Sequence, residues 1–379
     1  MQILTVDVGT GTQDIYLFQS GMAPENGFKL IMPSPTMMIR RRIREATARG
    51  DDLLLVGVTM GGGPSTWAAE DHVRSGHKIY ATPEAARTFN DDLELVRSEM
   101  GIEVVSQDEA ARLNLPRIEL RDFDFHAIAS AFDALGADIS PQAVAVAVFD
   151  HGAAPPGISD RQFRFDFIEA RIRSHRQLSG FAYLAADIPP FMTRMRSVVD
   201  SSAELDCPLV LMDTAPAAIL GATLDPKVGS LERSLIANVG NFHTLAFRLG
   251  PAGIEAVFEH HTGLINPRRL DDLLTALAES TLEHDDVFAE NGHGALIIDP
   301  VPLPLHDADF GVAVTGPRQS MLRDSRLRPY FAVPYGDMML SGCFGLLSAC
   351  ADLLPEMGER IYPALDGENS SVAPWDAES

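Results

Sequence analysis

The sequence predicts a soluble α/β protein built from two similar halves. Three observations carry that expectation. A strand, a Gly-containing turn and a second strand occur at 2–20 ("QILTVDVG", then "QDIYLFQS") and again at 234–249 ("SLIANVGNFHTLAFRL"). Continuous apolar runs such as "DLLLVGVTM" and "QAVAVAVFDHG" alternate with helical patterns, as in buried parallel strands. The chain has 379 residues, enough for two sizeable cores.

The elements follow in order. After the first hairpin, "FKLIMP" at 28–33 reads as a third strand. "TMMIRRRIREATARG" reads as a helix with a basic face, closed by Gly50. "DLLLVGVTM" ends in the Gly loop "GGGPST" and another helix, and 77–120 alternate short strands and helices. "DFHAIASAFDALG" is helical, "QAVAVAVFDHG" and "PLVLMD" are strands, and "TAPAAILGATL" is a helix. The second half repeats the order. Its hairpin is followed by the strand "GIEAVFEHH" and the helix "NPRRLDDLLTALAEST". "FGVAVTGPRQ" is then a strand with a Gly-Pro loop, and "DMMLSGCFGLLSACADLL" a helix of small residues. This suggests internal duplication. The expected division is an N-terminal lobe at 1–204, a C-terminal lobe at 205–358 and an acidic, disordered tail at 359–379.

The formal net charge of −23 disfavours nucleic acid and anionic membranes as partners. No apolar window is long enough for a membrane span. The start of the chain has no basic, signal-like segment. Cys207, Cys343 and Cys350 are scattered, which fits a reducing cytoplasm better than a disulfide scaffold. The run "RRRIRE" at 40–45 reads as a solvated helix face.

The Gly-rich hairpin can do chemistry. Backbone N–H groups on the concave side of such a turn bind phosphate oxygens without a lysine. Gly9 and Gly11 allow close approach, and Thr10 and Thr12 add hydroxyl donors. Asp7, at the end of the first strand, can hold Mg²⁺ directly or through water. An ordinary β-turn explains this stretch alone equally well.

"VDVGTGTQDIYLF" resembles the first phosphate hairpin of the superfamily of actin, sugar kinases and heat-shock ATPases. "DTAPAAILGATLD" is similar to its first connecting helix, and "ANVGNFHTLAF" to its second phosphate hairpin. "VAVTGPRQ" resembles its adenosine loop, and "MMLSGCFGLLSA" its second connecting helix. These five segments, in the family's order, span nearly the whole chain. The resemblance implies a two-lobed actin-like ATPase fold, a duplicated ribonuclease H-like fold. It also implies ATP and Mg²⁺ as ligands of the cleft between the lobes. Nucleotide contacts would then come from Gly9, Thr10, Gly11, Thr12, Asn238, Gly240, Asn241, Thr244, Gly316 and Pro317. Within the superfamily the chain resembles a family labelled as pyruvate formate-lyase activating enzymes. Enzymes of that activity hold an iron–sulfur cluster with a three-Cys motif, which this sequence lacks.

The chain departs from the superfamily at Asn238, where an Asp is usual. An amide is a poorer Mg²⁺ partner and cannot take a proton. Asp213 then stands as a candidate general base, as in the hexokinase-like branch, with Asp7 beside it. Asp213 equally suits a helix N-cap, and the two roles are compatible. Two further clusters are candidate substrate or metal contacts, or plain polar clusters: Asp150 with His151, and Glu259 with His261. On a strand Glu259 and His261 share a face, while His260 points the other way. The loop "MGGGPST" at 60–66 is either a substrate loop or a flexible turn. Three functions follow. One is phosphoryl transfer from ATP to a small hydroxylated metabolite. The second is a slow ATPase switch acting on a partner enzyme. The third is a diverged fold with another ligand.

Overall fold

The computed structural model describes residues 1–368 together with Ala373 and Trp375. The chain begins with β1 (Gln2–Val8), β2 (Thr12–Gln19) and β3 (Phe28–Pro33), an antiparallel meander. α1 (Pro35–Arg49) ends at Gly50, whose φ of 78° needs glycine. Ser34 precedes α1 and donates its hydroxyl to the Thr10 carbonyl at 2.6 Å, tethering the hairpin tip.

An inserted layer follows. β4 (Leu53–Gly57), β5 (Ile79–Ala81), β6 (Glu103–Val104) and β7 (Arg117–Leu120) form a separate parallel sheet in the order β6-β5-β4-β7. α2 (Pro64–Arg74) leaves β4 through the Gly61–Gly63 loop. The apolar run at 53–56 is thus a buried parallel strand, as its sequence predicts, but in a sheet of its own.

The chain returns to the first sheet through α3 (Phe125–Asp133) and β8 (Ala143–Val148). α4 (Asp160–Ser174), β9 (Ala182–Leu184), α5 (Thr193–Asp200) and β10 (Leu209–Met212) complete it. Its order is β3-β2-β1-β8-β10-β9, so the first sheet extends past residue 204. α6 (Thr214–Ala222) leads to the second half: β11 (Ser234–Val239), β12 (His243–Gly250), β13 (Gly253–His261), α7 (Pro267–Glu279), β14 (Gly294–Ile297), β15 (Val312–Thr315) and β16 (Pro329–Phe331). Its order is β14-β13-β12-β11-β15-β16.

The duplication is explicit in these orders. In each half three antiparallel strands form a meander, and a later strand, β8 in the first and β15 in the second, lies parallel beside the first of them. A further parallel strand follows on that side, so both sheets share a five-strand pattern, and each adds one antiparallel edge strand at opposite ends: β9 beside β10 in the first and β14 beside β13 in the second. This is the duplicated ribonuclease H-like, actin-like arrangement.

α8 (Ser341–Leu353) crosses α6 at backbone contact. A Cβ on Gly221 would overlap the Ser341 carbonyl, and one on Gly345 would overlap the Ala217 carbonyl. Only the small-residue sequences of both helices permit that approach. One apolar core runs through both halves, joining Ile3, Tyr16 and Phe18 with Ile236, Leu245 and Phe247 around these helices. α9 (Pro355–Leu365) packs behind α8, so the segment expected to be a disordered tail is helical up to Leu365. Most of the remaining tail lies outside the described residues. Among the described residues no helix is long and apolar enough to cross a membrane.

Candidate active site

A cavity of about 600 Å³ opens between the two sheets, within the usual range for small-molecule sites. Both hairpin tips reach it. Gly9, Thr10, Gly11 and Thr12 line one side, and Gly240, Asn241 and Phe242 the other. The two turns are closed the same way. The Gly9 N–H donates to the Thr12 carbonyl at 2.9 Å, and the Gly240 N–H to the His243 carbonyl at 3.0 Å. The tips approach each other, since a Cβ on Gly11 would lie 2.9 Å from the Asn241 amide nitrogen. Gly316, with a φ of 97°, packs against Asn238 and Val239 and lines the cavity with Pro317. The inserted layer supplies Gly61, Gly62 and Gly63 to the rim, where Gly63 meets the Phe242 ring.

Two carboxylates face the cavity from the first hairpin. Asp7 and Asp14 are cross-strand partners on β1 and β2. The Thr214 hydroxyl donates to Asp7, and Gly342 leaves the space that the Asp7 carboxylate fills. Burial pushes Asp7 up to about 7, with the Asp213 charge adding to the rise and the Thr214 bond opposing it. Burial, then the Asp7 charge, pushes Asp14 up to about 8, and Asp14 Oδ1 is buried without a hydrogen-bond partner. Such a pair is the chemistry of a divalent cation site or of acid–base work. Asp14 escaped notice in the sequence, although a two-strand register with a four-residue turn would have found it.

Arg194 was also missed. It lines the cavity and makes a two-pronged pair with Asp122, Nε at 2.6 Å and Nη2 at 3.0 Å. The Gly61 N–H donates to the same carboxylate at 3.2 Å. Arg194 thus brings a fixed cation to the wall of a strongly acidic protein. No spacing motif marks it in the sequence.

The remaining sequence candidates divide. Asn238 lines the cavity, as do His151 and His261. Thr244, Asp150, Asp213 and Glu259 do not. The Thr244 hydroxyl is buried against that of Thr262 at 2.9 Å. Asp150 is buried and accepts from the N–H groups of Gly152 and Met195, so it organises the loop after β8. Asp213 caps α6 by accepting from the Ala215 N–H, and its other oxygen accepts from Arg164 at 2.7 Å. Arg164, from α4, also holds Glu259 of β13 through Nε at 2.9 Å. This buried trio joins the end of the first sheet to the second. Burial raises Glu259 to about 7 even though Arg164 opposes the rise.

Beyond Phe149 the imidazoles gather. His243 stacks on the Phe149 ring with ring centres 4.0 Å apart, and Arg164 lies 3.7 Å from the same ring centre. His261 and His293 stand 4.8 and 5.2 Å from His243, centre to centre. Desolvation by the cleft walls, joined by the Arg164 and Arg194 charges, lowers His151 although the residue is exposed to the cleft. Burial lowers His243, His261 and His293 as well.

The family described as "Putative pyruvate format-lyase activating enzyme (DUF1786)" matches residues 60–321, more than half of the chain. The chain belongs to this family. Its three cysteines are free and stand apart from the cavity, with Cys343 and Cys350 buried in α8. No curated protein matches the chain. Three solved structures are similar at low identity. A ROK family transcriptional regulator, a homolog of the E. coli MLC protein, is 7% identical over 67% of this chain and 37% of its own, with a TM-score of 0.25. A ROK hexokinase from Thermus thermophilus is 11% identical over 67% of this chain and 47% of its own, with a TM-score of 0.23. The Aquifex aeolicus PPX-GPPA enzyme is 9% identical over 94% of this chain and 93% of its own, with a TM-score of 0.22. The chain thus spans less than half the length of the two ROK proteins. The fold assignment rests on the strand orders above.

Proposed function

We propose that the family member described here binds ATP between its two hairpins and transfers the γ-phosphoryl group to a small hydroxylated metabolite. The carrying observation is the convergence of both glycine turns and the Thr315–Pro317 loop on one cavity. Backbone donors at residues 9–12 and 240–242 would cradle the phosphates, and Arg194 would add charge. Gly316 and Pro317 would flank the adenosine, with Gly316 packed against Asn238 and Val239. Asp7 and Asp14 would hold Mg²⁺, which offsets phosphate charge when bound.

Asp7 is better suited than Asp213 to take the acceptor's proton. It lines the cavity and so can meet the acceptor hydroxyl, in which case the Mg²⁺ would rest on Asp14 and the phosphates. Asp213 is committed to Arg164 and to its helix, so its contribution would be to hold the frame.

A second reading is an ATP-dependent switch acting on a partner enzyme. Asn238 favours it, because a neutral amide on the second hairpin slows turnover more than binding. The deciding experiment incubates the protein with γ-labelled ATP, Mg²⁺ and pooled small hydroxylated metabolites. Label in a small product that disappears with Asp7→Asn supports the transferase. Closure on ATP in small-angle scattering, with no labelled product, supports the switch instead.

A further inference from the structure

Four imidazoles meet from four separate parts of the chain, three of them lining the cavity and the fourth, His293, buried against them. His151 follows β8, His243 opens β12, His261 ends β13 and His293 precedes β14. The ligand nitrogens of His151, His243 and His293 all lie within 4.8 Å of one another. Among the described residues this is the only such cluster of His, Cys, Asp or Glu.

Its hydrogen bonding is incomplete. His293 is fully buried, and neither of its ring nitrogens has a partner. His243 Nε2 is buried and unpartnered as well. Buried imidazole nitrogens are normally satisfied, so nitrogens converging on one point without partners call for a ligand. We propose that His151, His243 and His293 form a binding site for one divalent transition-metal ion, zinc or a chemical equivalent, with an open coordination position facing the cleft.

The donor set selects the class of ion. Three neutral nitrogens suit zinc, cobalt, nickel or copper, whereas magnesium and calcium take oxygen ligands. Zinc–nitrogen bonds of about 2.0–2.1 Å in a tetrahedron need nitrogens roughly 3.4 Å apart. The three nitrogens stand up to 4.8 Å apart, so binding would draw them together, with the cleft-exposed His151 moving most. The nearby Arg164 and Arg194 cations are matched by Asp213, Glu259 and Asp122, while Arg161, close to His293, is held by the Phe288 and Gly292 carbonyls. His151 and His243 both line the cavity, so three protein ligands leave the fourth position for water or a substrate oxygen, the pattern of catalytic zinc. His261 flanks that side.

The test uses the full chain, stripped with a chelator and titrated with Zn²⁺ by calorimetry and with Co²⁺ by visible absorption. One ion per chain is expected, with the intense bands of four- or five-coordinate Co²⁺, not displaced by excess Mg²⁺. His243→Ala and His293→Ala should weaken binding at least tenfold. His151→Ala, at an exposed position where folding is undisturbed, should do the same. Asp14→Asn should leave the Co²⁺ spectrum unchanged, which separates this site from the carboxylate pair. Absence of stoichiometric Zn²⁺ binding, a six-coordinate Co²⁺ spectrum, or parental affinity in His151→Ala would each overturn the assignment.

Discussion

The two hairpins share a backbone and differ in chemistry. In the first, Val8 faces Gln13 across a four-residue turn, and in the second Val239 faces Thr244 across a turn of the same length. The pair one step back is Asp7 with Asp14 in the first and Asn238 with Leu245 in the second. Thr12, at the end of the first turn, corresponds to His243 at the end of the second. One half therefore presents hard oxygen donors to the cavity, and the other an amide, an aromatic ring and imidazoles. Main-chain geometry was duplicated while the ligand preference of each turn went its own way. A phosphate clamp needs only the shared part, the backbone donors. The unshared part decides metal and acid–base chemistry.

The largest expected effect comes from severing the frame that holds the halves in register. Arg164→Met removes the cation between Asp213 and Glu259 and leaves two buried carboxylates uncompensated. The cost should be about 3–5 kcal/mol, read from urea unfolding. A loss below about 1 kcal/mol would mean that the trio does not link the two sheets energetically.

Next comes Gly11→Val. Neither Gly9 nor Gly11 has a positive φ, so the glycine requirement here is one of space and not of backbone conformation. The added side chain would press on Asn241 and push the tips apart. ATP affinity should fall at least about tenfold, equal to 1.4 kcal/mol, while the melting temperature changes little. A variant that binds ATP as the parent does would reduce the first hairpin to a turn.

The carboxylate pair should show in the pH dependence. A carboxyl group whose native pKa lies above its unfolded value makes the fold lose stability as pH rises from the unfolded pKa through the native one. For Asp7 and Asp14 that window runs from about pH 4 to about pH 8. Asp14→Asn should flatten part of this slope and stabilise the protein by about 1–2 kcal/mol above pH 8 without Mg²⁺. Mg²⁺ should stabilise the parent and not the variant. Unfolding curves across that range give the answer, and an unchanged slope would argue that Asp14 carries no native-state proton.

The smallest effect is expected from Asn238→Asp, which makes the second hairpin resemble the first. Basal ATP hydrolysis should rise by less than about tenfold through better metal placement. A fall in hydrolysis would show that the amide itself is required.

Much of the fold was legible because its signals are local. Alternating and continuous apolar runs marked β1, β2, β8, β11 and β12, and Gly50 marked the end of α1. The small-residue helices 214–222 and 341–353 announced a close crossing. The separate sheet of residues 53–120 was not legible, because a parallel strand does not name its neighbours in sequence. At the site, the glycine turns were readable and their partners were not. Arg194 and Asp122 come to the cavity, and His293 to the imidazoles beside it, through long-range packing, and no spacing links them. Asp213 caps the helix 214–222, as its place after a buried strand allows, but its hold by Arg164, 49 residues away in sequence, was not legible.

The central claim is that two duplicated turns grip one nucleotide. Calorimetric titration of the full chain with ATP in Mg²⁺ tests it most directly, with Gly11→Val and Asn241→Ala titrated alongside. The account predicts one nucleotide per chain, weakened by a change in either turn. No heat from ATP, ADP or GTP up to millimolar concentration, or binding indifferent to both substitutions, would contradict it.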